Sequence, residues 1–283
     1  MKHNPYRSQK IAFSFLFVAT VLVVLPVIFI LFIIIEKGYQ AISWEFLTAM
    51  PKNGMREGGI FPAILGTIYL VAGTLIFALP LGVLSAIYLT EYAKDNLLTR
   101  LVKLAIINLA GVPSVVYGLF GLGVFVIFLK FGSSILAGSL TLAIMVLPII
   151  ITTTKEALDS VPKSFREVSL SLGVTKWQTI RYSVLPYALP GILTGIILAI
   201  SRAAGETAPI LFTVAAFFLP RLPHSVFDQV MALPYHLYVL STQVPNVDEK
   251  LRYGTAFVLL LMVLSMNFLA IVVRSKFRKK KKW

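Results

Sequence analysis

LPGILTGIILAISRAAGETAPILFT, residues 189–213, carries an arginine and a glutamate four positions apart within a long apolar segment. Between positions 182 and 220, Arg202 and Glu206 are the only charged residues. A charged side chain at the centre of a bilayer costs about 2.5–3.5 kcal/mol on insertion scales. The segment therefore predicts a membrane-spanning helix that retains a polar pair for a specific purpose.

Five further segments are long, apolar and free of charge: residues 11–35, 58–90, 104–129, 131–154 and 253–273. Because about 20 apolar residues cross the hydrocarbon core as a helix, the sequence predicts six transmembrane helices. Hydrocarbon satisfies no backbone hydrogen bond, so spans of this kind are expected to be helical. The predicted fold class is an all-α integral membrane protein, a single domain over residues 1–283. The first segment is too long for a signal-peptide core and is interpreted as a retained anchor.

The composition excludes several other classes. The chain is 58% hydrophobic and 13% charged, which is not typical of a soluble globular protein. Cysteine is absent, so the chain has no disulfide and no thiolate metal site. His3, His224 and His236 show no metal-ligand spacing with acidic residues, and we predict neither a metal nor a cofactor in this chain.

The distribution of the 26 lysine and arginine residues predicts the topology. Most of them fall on one side of the six spans if the N-terminus lies in the cytoplasm, so the positive-inside rule places both termini there. The tail 1–10, a loop at 155–187 and the basic tail 274–283 are then cytoplasmic, and the loop 220–252 is external. We interpret the basic tail as an anchor at the lipid surface and predict no nucleic-acid partner, although the net charge is +14. The external loop predicts a short helix at the outer interface, either as part of a gate or simply packed there.

The 155–187 loop carries the signals of two short helices with a turn between them. Ser164 and Glu167 match a capping box, and Thr175 and Gln178 match a second one. Gly173, between the two boxes, suits the end of the first helix. The second helix is predicted to stop at a proline, Pro186.

An apolar stripe runs along the first of these helices, at Phe165, Val168 and Leu172. Such a stripe either packs on its own bundle or enters a groove on another protein, and the pattern leaves both open. The chain contains no G-x-x-x-x-G-K-[ST] motif, so it cannot hydrolyse ATP by phosphate-loop chemistry.

The same loop resembles the cytoplasmic signature of ABC-importer permeases, E-A-A-x-x-x-G, nine residues, then I-x-L-P. The retained positions are Glu167, Gly173, Leu185 and Pro186, and the departures are Val168, Ser169 and Ser183. The resemblance implies a coupling helix that sits in a cleft of a separate ATPase subunit, the chain that binds ATP and Mg²⁺. The docking residues would be Ser164, Phe165, Glu167, Val168, Leu172 and Gly173.

Two further stretches, SRAAGETAPILFT (201–213) and AGVPSVVYGLFGLGVF (110–125), resemble the phosphate-importer permeases of the PstA type. The resemblance covers nearly the whole chain and implies the type I ABC importer permease fold. It also implies one half of a translocation path for inorganic phosphate in a bacterial or archaeal plasma membrane. The implied partners are a second homologous permease, two ATPase subunits and an extracytoplasmic phosphate-binding protein.

Arg202, Glu206 and Thr207 are the candidate residues of the substrate path. Arg202 lies 14 residues beyond Ala188, roughly 21 Å along a helix, and Glu206 is expected on the same helical face. One interpretation is an internal ion pair that braces the bundle. The other is a cationic waypoint, where the guanidinium binds phosphate and Glu206 keeps the binding weak enough for release. Pro209 is the candidate hinge, through a kink near Gly205, and the open alternative is an ordinary membrane proline whose freed carbonyl is satisfied by neighbours.

Small residues recur at spacings that favour close helix packing, within this chain or against a second permease. They are Ala78, Gly82 and Ala86 in the second span, Gly118, Gly121 and Gly123 in the third, and Gly191 and Gly195 in the fifth.

Three alternatives remain open. A permease for another oxyanion, such as molybdate or sulfate, would have the same architecture. An ion-gradient secondary carrier is the second alternative, although the sequence shows no convincing internal repeat. The third is a scaffold or an intramembrane enzyme. The spans contain neither paired acids nor a Ser/His set, so we predict that the chain is not an enzyme.

Overall fold

Five helices are long and apolar enough to cross a membrane, and a strongly bent pair of helices supplies a sixth candidate crossing. These helices belong to a computed structural model that describes residues 5–279. In chain order the helices are α1 (Pro5–Gly38), α2 (Trp44–Thr48), α3 (Phe61–Ile87), α4 (Leu97–Ala110), α5 (Ser114–Gly121), α6 (Ile135–Asp159), α7 (Lys163–Ser171), α8 (Lys176–Gln178), α9 (Leu185–Gly205), α10 (Ala208–Thr213), α11 (Leu233–Thr242) and α12 (Glu249–Lys279).

Three wider π-helical turns extend the long helices. They are Tyr88–Tyr92 after α3, Leu122–Phe128 after α5 and Thr179–Val184 before α9. Two short 3₁₀ turns, Tyr39–Ala41 and Asn53–Met55, lie in the connection between α1 and α3. The same connection holds an antiparallel hairpin of β1 (Pro51–Lys52) and β2 (Glu57–Gly58).

The core of the bundle is formed by α3, α6 and α9, with α12 packed on α9 and α1 packed on α12. α6 is the most buried span, and its side chains Leu142, Met145 and Ile150 are almost inaccessible. The most apolar part of α1 is exposed on all sides, as expected for a helix that faces lipid. The six apolar segments therefore form a helical bundle, as the sequence predicts.

The predicted third span, 104–129, is not one straight helix. α4 starts earlier, at Leu97, and the segment from Ser114 to Phe128 turns away from it by 106°. Pro113 favours a break here, because proline lacks a backbone donor and disfavours the α conformation of the residue before it. The start of α4 is fixed by Asn96, whose side chain accepts the Thr99 N–H at 2.9 Å.

The external loop predicted at 220–252 does contain a short helix, α11, and most of that helix is buried within the protein. Its residues Leu233, His236 and Val239 are buried, and the Leu233 N–H donates to Thr67 Oγ1 of α3 at 2.9 Å. Burial lowers the pKa of His236 to about 4, so this side chain is uncharged at neutral pH. Packing against α3 and α12 buries α11. Its location at the outer interface stays a prediction.

The loop before α11 also completes the start of α6. The N–H groups of Ile135 and Leu136 donate to the carbonyls of Asp228 and Val226, both at 2.9 Å. The first backbone donors of a helix have no partner within the helix, so these bonds fix the loop on the end of α6.

The two predicted tails lie partly outside the described residues, at 1–4 and 280–283. Their described parts are helical, because α1 begins at Pro5 and α12 continues to Lys279. The cytoplasmic location of both termini stays a prediction.

Most of the small residues predicted to pack closely do so within the chain, and Gly123 does not. A methyl group on Gly82 would meet Ile150, one on Gly191 would meet Ala157, and one on Gly195 would meet Thr153. These contacts join α3 and α9 to α6. The sequence left open packing within this chain or against a second permease, and packing within the chain is present at these positions.

Gly121 and Gly123 provide a matched test of this packing. A methyl group on Gly121 would collide with Thr141 and would approach Thr213 Cγ2 to 2.8 Å, whereas one on Gly123 meets nothing within 4 Å. Overpacking of a close helix contact costs about 1–3 kcal/mol, so we expect Gly121→Ala to lower the melting temperature of the solubilised protein. Gly123→Ala is the control and should leave the melting temperature unchanged or higher. Equal melting temperatures for the two variants would contradict the packing.

Candidate functional site

Arg202 lies in the last turn of α9, close to the middle of the bundle. α9 runs antiparallel to α6, with Gly191 against Ala157 and Gly195 against Thr153. Continued at the same register, this pairing places Arg202 opposite about residue 146, near the midpoint of α6. The structure therefore places Arg202 opposite the middle of the most buried span, and its depth within the membrane stays a prediction.

Arg202 and Glu206 form a loose ion pair. Arg202 Nε lies 3.4 Å from Glu206 Oε1, and 32% and 18% of the two side chains are exposed. Within residues 5–279, the structure records no further hydrogen bond or ion pair for the Arg202 guanidinium. The fork of donors at the end of the side chain is therefore free to bind an anion, which is the geometry that arginine offers to phosphate.

The helix breaks between the two charges, contrary to the expectation that both lie on one helical face. α9 ends at Gly205, and Glu206 has an extended backbone, with φ −76° and ψ 135°. Thr207 follows as a partly buried residue, and α10 begins at Ala208. Irregular backbone at membrane depth is tolerated where it is buried in protein or lines a water-filled cavity.

Pro209 explains the break but does not lie at it. Pro209 is a first-turn residue of α10, where its missing N–H has no helical acceptor to lose. A continuous helix would have required that N–H to donate to the Gly205 carbonyl, so α9 ends first. The chain therefore departs from the helix next to Gly205, as the kink predicted there requires, but as a complete end of α9. The hinge role of Pro209 stays a prediction.

Neighbouring spans bring further polar and small groups to this level. Ser201 Oγ donates to Asn267 Oδ1 of α12 at 2.8 Å. From α5, Gly118 approaches so closely that a methyl group there would lie 2.9 Å from the Ala208 carbonyl oxygen and 3.0 Å from Pro209 Cα. The sequence analysis missed Asn267, although an amide in an otherwise apolar span was a usable signal.

The 155–187 loop contains α7 and α8 as two short helices, with Gly173 between them at φ +79°. This left-handed conformation is readily adopted by glycine, as predicted. The Thr175–Gln178 capping box is confirmed, with both reciprocal hydrogen bonds present. The Ser164–Glu167 box is wrong: Pro162 is the N-cap residue, so Ser164 and Glu167 are exposed residues within α7.

Pro186 does not stop the second short helix. The chain continues through the π turn Thr179–Val184 into α9, and the Leu185 N–H donates to the Ile180 carbonyl five residues back. The π turn replaces the α-helical pattern just before Pro186, so the missing proline donor and its ring are accommodated without a break.

One residue of the apolar stripe of α7 packs within the chain, and the other two are exposed. The Phe165 ring packs edge-on against Tyr187 of α9, with centroids 4.7 Å apart. Val168 and Leu172 are 62% and 79% exposed. Exposed apolar side chains continue onto the neighbouring turns, and we call this set the α7 surface: Val168, Leu170, Leu172, Val174, Trp177 and Tyr182. An apolar surface of this kind marks an interaction site.

Comparison with known proteins shows which family the chain belongs to. Residues 78–282 match the family described as binding-protein-dependent transport system inner membrane component. The chain is 33% identical over 271 residues to the phosphate transport system permease protein PstA 1 of Mycobacterium tuberculosis, covering 94% of this chain and 88% of that one. It is 34% identical over 271 residues to the probable phosphate transport system permease protein PstA of Methanocaldococcus jannaschii, covering 94% of both.

Solved structures show the same fold. A chain of a bacterial ABC transporter involved in the import of the acidic polysaccharide alginate superimposes with a TM-score of 0.69 at 14% identity. The superposition covers 96% of this chain and 99% of that one. The fold is therefore that of a type I ABC importer permease, as the resemblance implied.

Proposed function

The chain belongs to the binding-protein-dependent transport system inner membrane components, and from this premise we propose that it is a permease subunit of an ATP-driven phosphate importer. It is a multi-pass membrane protein and a transport subunit, not an enzyme, and the ATPase of such a transporter is a separate chain. The proposed location is a bacterial or archaeal plasma membrane, in keeping with the relatives named above.

One observation carries the choice of substrate class. A guanidinium with free donors lies near the middle of the bundle, beside the non-helical residues Glu206 and Thr207 between α9 and α10. Planar donors at this depth suit an oxyanion, and the partly exposed Glu206 limits how tightly an anion binds. Arg202, Glu206 and Thr207 are therefore proposed as residues of the substrate path. Pro209 is the proposed hinge of the helix beside them. The names of the relatives favour phosphate among the oxyanions.

The α7 surface is the proposed docking site of the ATPase subunits. Its apolar side chains lie on short helices outside the bundle core, where an unpartnered surface needs a cover. In the proposed assembly a second, homologous permease completes the path, two ATPase subunits bind the 155–187 loops, and an external binding protein delivers the ion.

ATP-dependent uptake tests the substrate and the energy source together. The complete transporter is reconstituted in liposomes with its binding protein, and labelled phosphate uptake is followed with ATP inside. We expect uptake that requires ATP, persists when a protonophore removes the proton gradient, and is unaffected by excess sulfate or molybdate. Competition by either oxyanion would reassign the substrate. Uptake that collapses with the gradient would identify a secondary carrier instead.

A further inference from the structure

Arg166 of α7 forms an ion pair with Glu91, in the π turn that follows α3. Arg166 Nη2 lies 2.7 Å from Glu91 Oε1, and Nε lies 3.0 Å from the same oxygen. Only 20% and 7% of the two side chains are exposed. Charge-assisted hydrogen bonds of this length are among the stronger ones in proteins. The pair joins two residues 75 positions apart in the chain.

The same guanidinium also completes the end of α6. Arg166 Nη1 donates to the Val161 carbonyl and Nη2 donates to the Leu158 carbonyl, both at 2.9 Å. Basic side chains near a helix C-terminus satisfy its last carbonyls and complement the helix dipole. One side chain of α7 therefore contacts the ends of both α3 and α6.

Of the two contacts made by Arg166, the one with Glu91 links α7 to a helix that is not its neighbour in the chain. α7 follows α6 after three residues, 160–162, and leads through α8 into α9, so its backbone reaches both spans directly. α3 has no such connection, although α3 and α6 form the most extensively packed pair of helices. A second contact, Lys176 Nζ at 4.9 Å from the centroid of the Tyr92 ring, is of a weaker kind. Glu91 is thus a direct polar link between α7 and the end of α3, in addition to the packing of α3 on α6.

We propose that Glu91 and Arg166 are positioning residues that transmit movement of the α7 surface to α3, and so couple ATP hydrolysis to opening of the path. This inference rests on the proposed function, because it requires an ATPase at α7. Neither residue touches the transported ion. A buried ion pair suits the role, since removal of one partner leaves an unpaired charge and the contact is lost as a whole.

Glu91→Gln in the reconstituted transporter tests the link. The measured quantity is the number of ions imported per ATP hydrolysed. Mutations along a coupling route change coupling by about 0.5–2 kcal/mol, so we expect this ratio to fall by roughly twofold to thirtyfold while ATP hydrolysis continues. The control is Asp95→Asn, which removes the exposed ion pair with Arg100 and should leave the ratio unchanged. Uptake and hydrolysis that fall in proportion in Glu91→Gln would overturn the proposal.

A removable covalent link provides a second, independent variant. The chain has no cysteine, so Glu91→Cys with Arg166→Cys introduces the only two thiols of this subunit. The double variant should hydrolyse ATP with poor uptake, and a flexible linker that reacts with both thiols should restore the ratio. A merely structural role predicts no recovery, because the linker replaces neither charge nor the carbonyl contacts of Arg166. Failure of the linked protein to recover would overturn the link.

Failure of the proposed function and failure of the Glu91–Arg166 link give different experimental results. A wild-type transporter that imports no phosphate contradicts the proposed function alone. In that case the ATP-dependent change in distance between spin labels on α3 and α7 replaces the ratio as the readout. We expect Glu91→Gln to uncouple the two labels, so that α7 moves without α3. An unchanged response of both labels would overturn the link.

Discussion

Replacing Arg202 with glutamine should abolish phosphate uptake without removing the protein from the membrane. Glutamine retains hydrogen-bonding groups but loses the charge and the planar fork of donors. Hydrogen bonds to charged groups contribute about 1.5–3 kcal/mol, so uptake should fall by about 10- to 150-fold, and further because Glu206 loses its partner. The measurement is the rate of labelled phosphate uptake at equal amounts of assembled transporter. The charge-matched control is Arg221→Gln in the exposed loop before α11, which should transport normally.

A double variant decides between a waypoint for the ion and a structural brace. If Arg202 and Glu206 only brace the bundle, Arg202→Gln combined with Glu206→Gln removes both charges and should recover uptake, since neutral replacement of an ion pair is often tolerated. If Arg202 contacts the ion, the double variant stays inactive. Recovery of wild-type uptake in the double variant would contradict the role of Arg202 in the path.

Leu172→Glu should prevent assembly with the ATPase while leaving the permease folded. Leu172 is mostly exposed, so the change removes little packing within the chain. Burial of a leucine contributes about 1.5–3 kcal/mol, and an unpaired carboxylate in an apolar cleft adds a further penalty. We therefore expect the affinity for the ATPase to fall at least about 100-fold, measured by co-purification and by titration of solubilised protein.

The comparison variant for Leu172→Glu is Val226→Glu. Val226 is also an exposed apolar residue, but it lies in the loop that covers the start of α6, at the opposite end of that helix from α7. Val226→Glu should bind the ATPase as the wild type does. Normal co-purification of Leu172→Glu would contradict the assignment of the α7 surface as the docking site.

Local sequence patterns determined much of what the structure shows. Six long apolar segments, five of them free of charge, predicted the helical bundle because the hydrocarbon leaves the backbone no other way to satisfy its hydrogen bonds. Gly173 and the Thr175–Gln178 box were predictable because caps and left-handed turns depend on a few consecutive residues. The position of Arg202 near the end of a long apolar helix followed from counting along that helix. The sequence predicted the break near Pro209 only in part. A proline shows that a helix is disturbed nearby, but it does not show at which residue the helix ends.

Tertiary packing decided the remainder. Arg166 meets Glu91 across 75 positions, and Ser201 meets Asn267 across 66, and no local spacing reports such contacts. Three further features depend on which surfaces other helices cover. They are the burial of α11, the bend between α4 and α5, and the exposure of Val168 and Leu172 beside the packed Phe165. The sequence by itself determined which segments are helical and which residues are charged at depth, because these follow from the chain's own chemistry and the solvent. Only the folded bundle decided which charges are paired and which apolar side chains stay uncovered, because those depend on how distant segments come together.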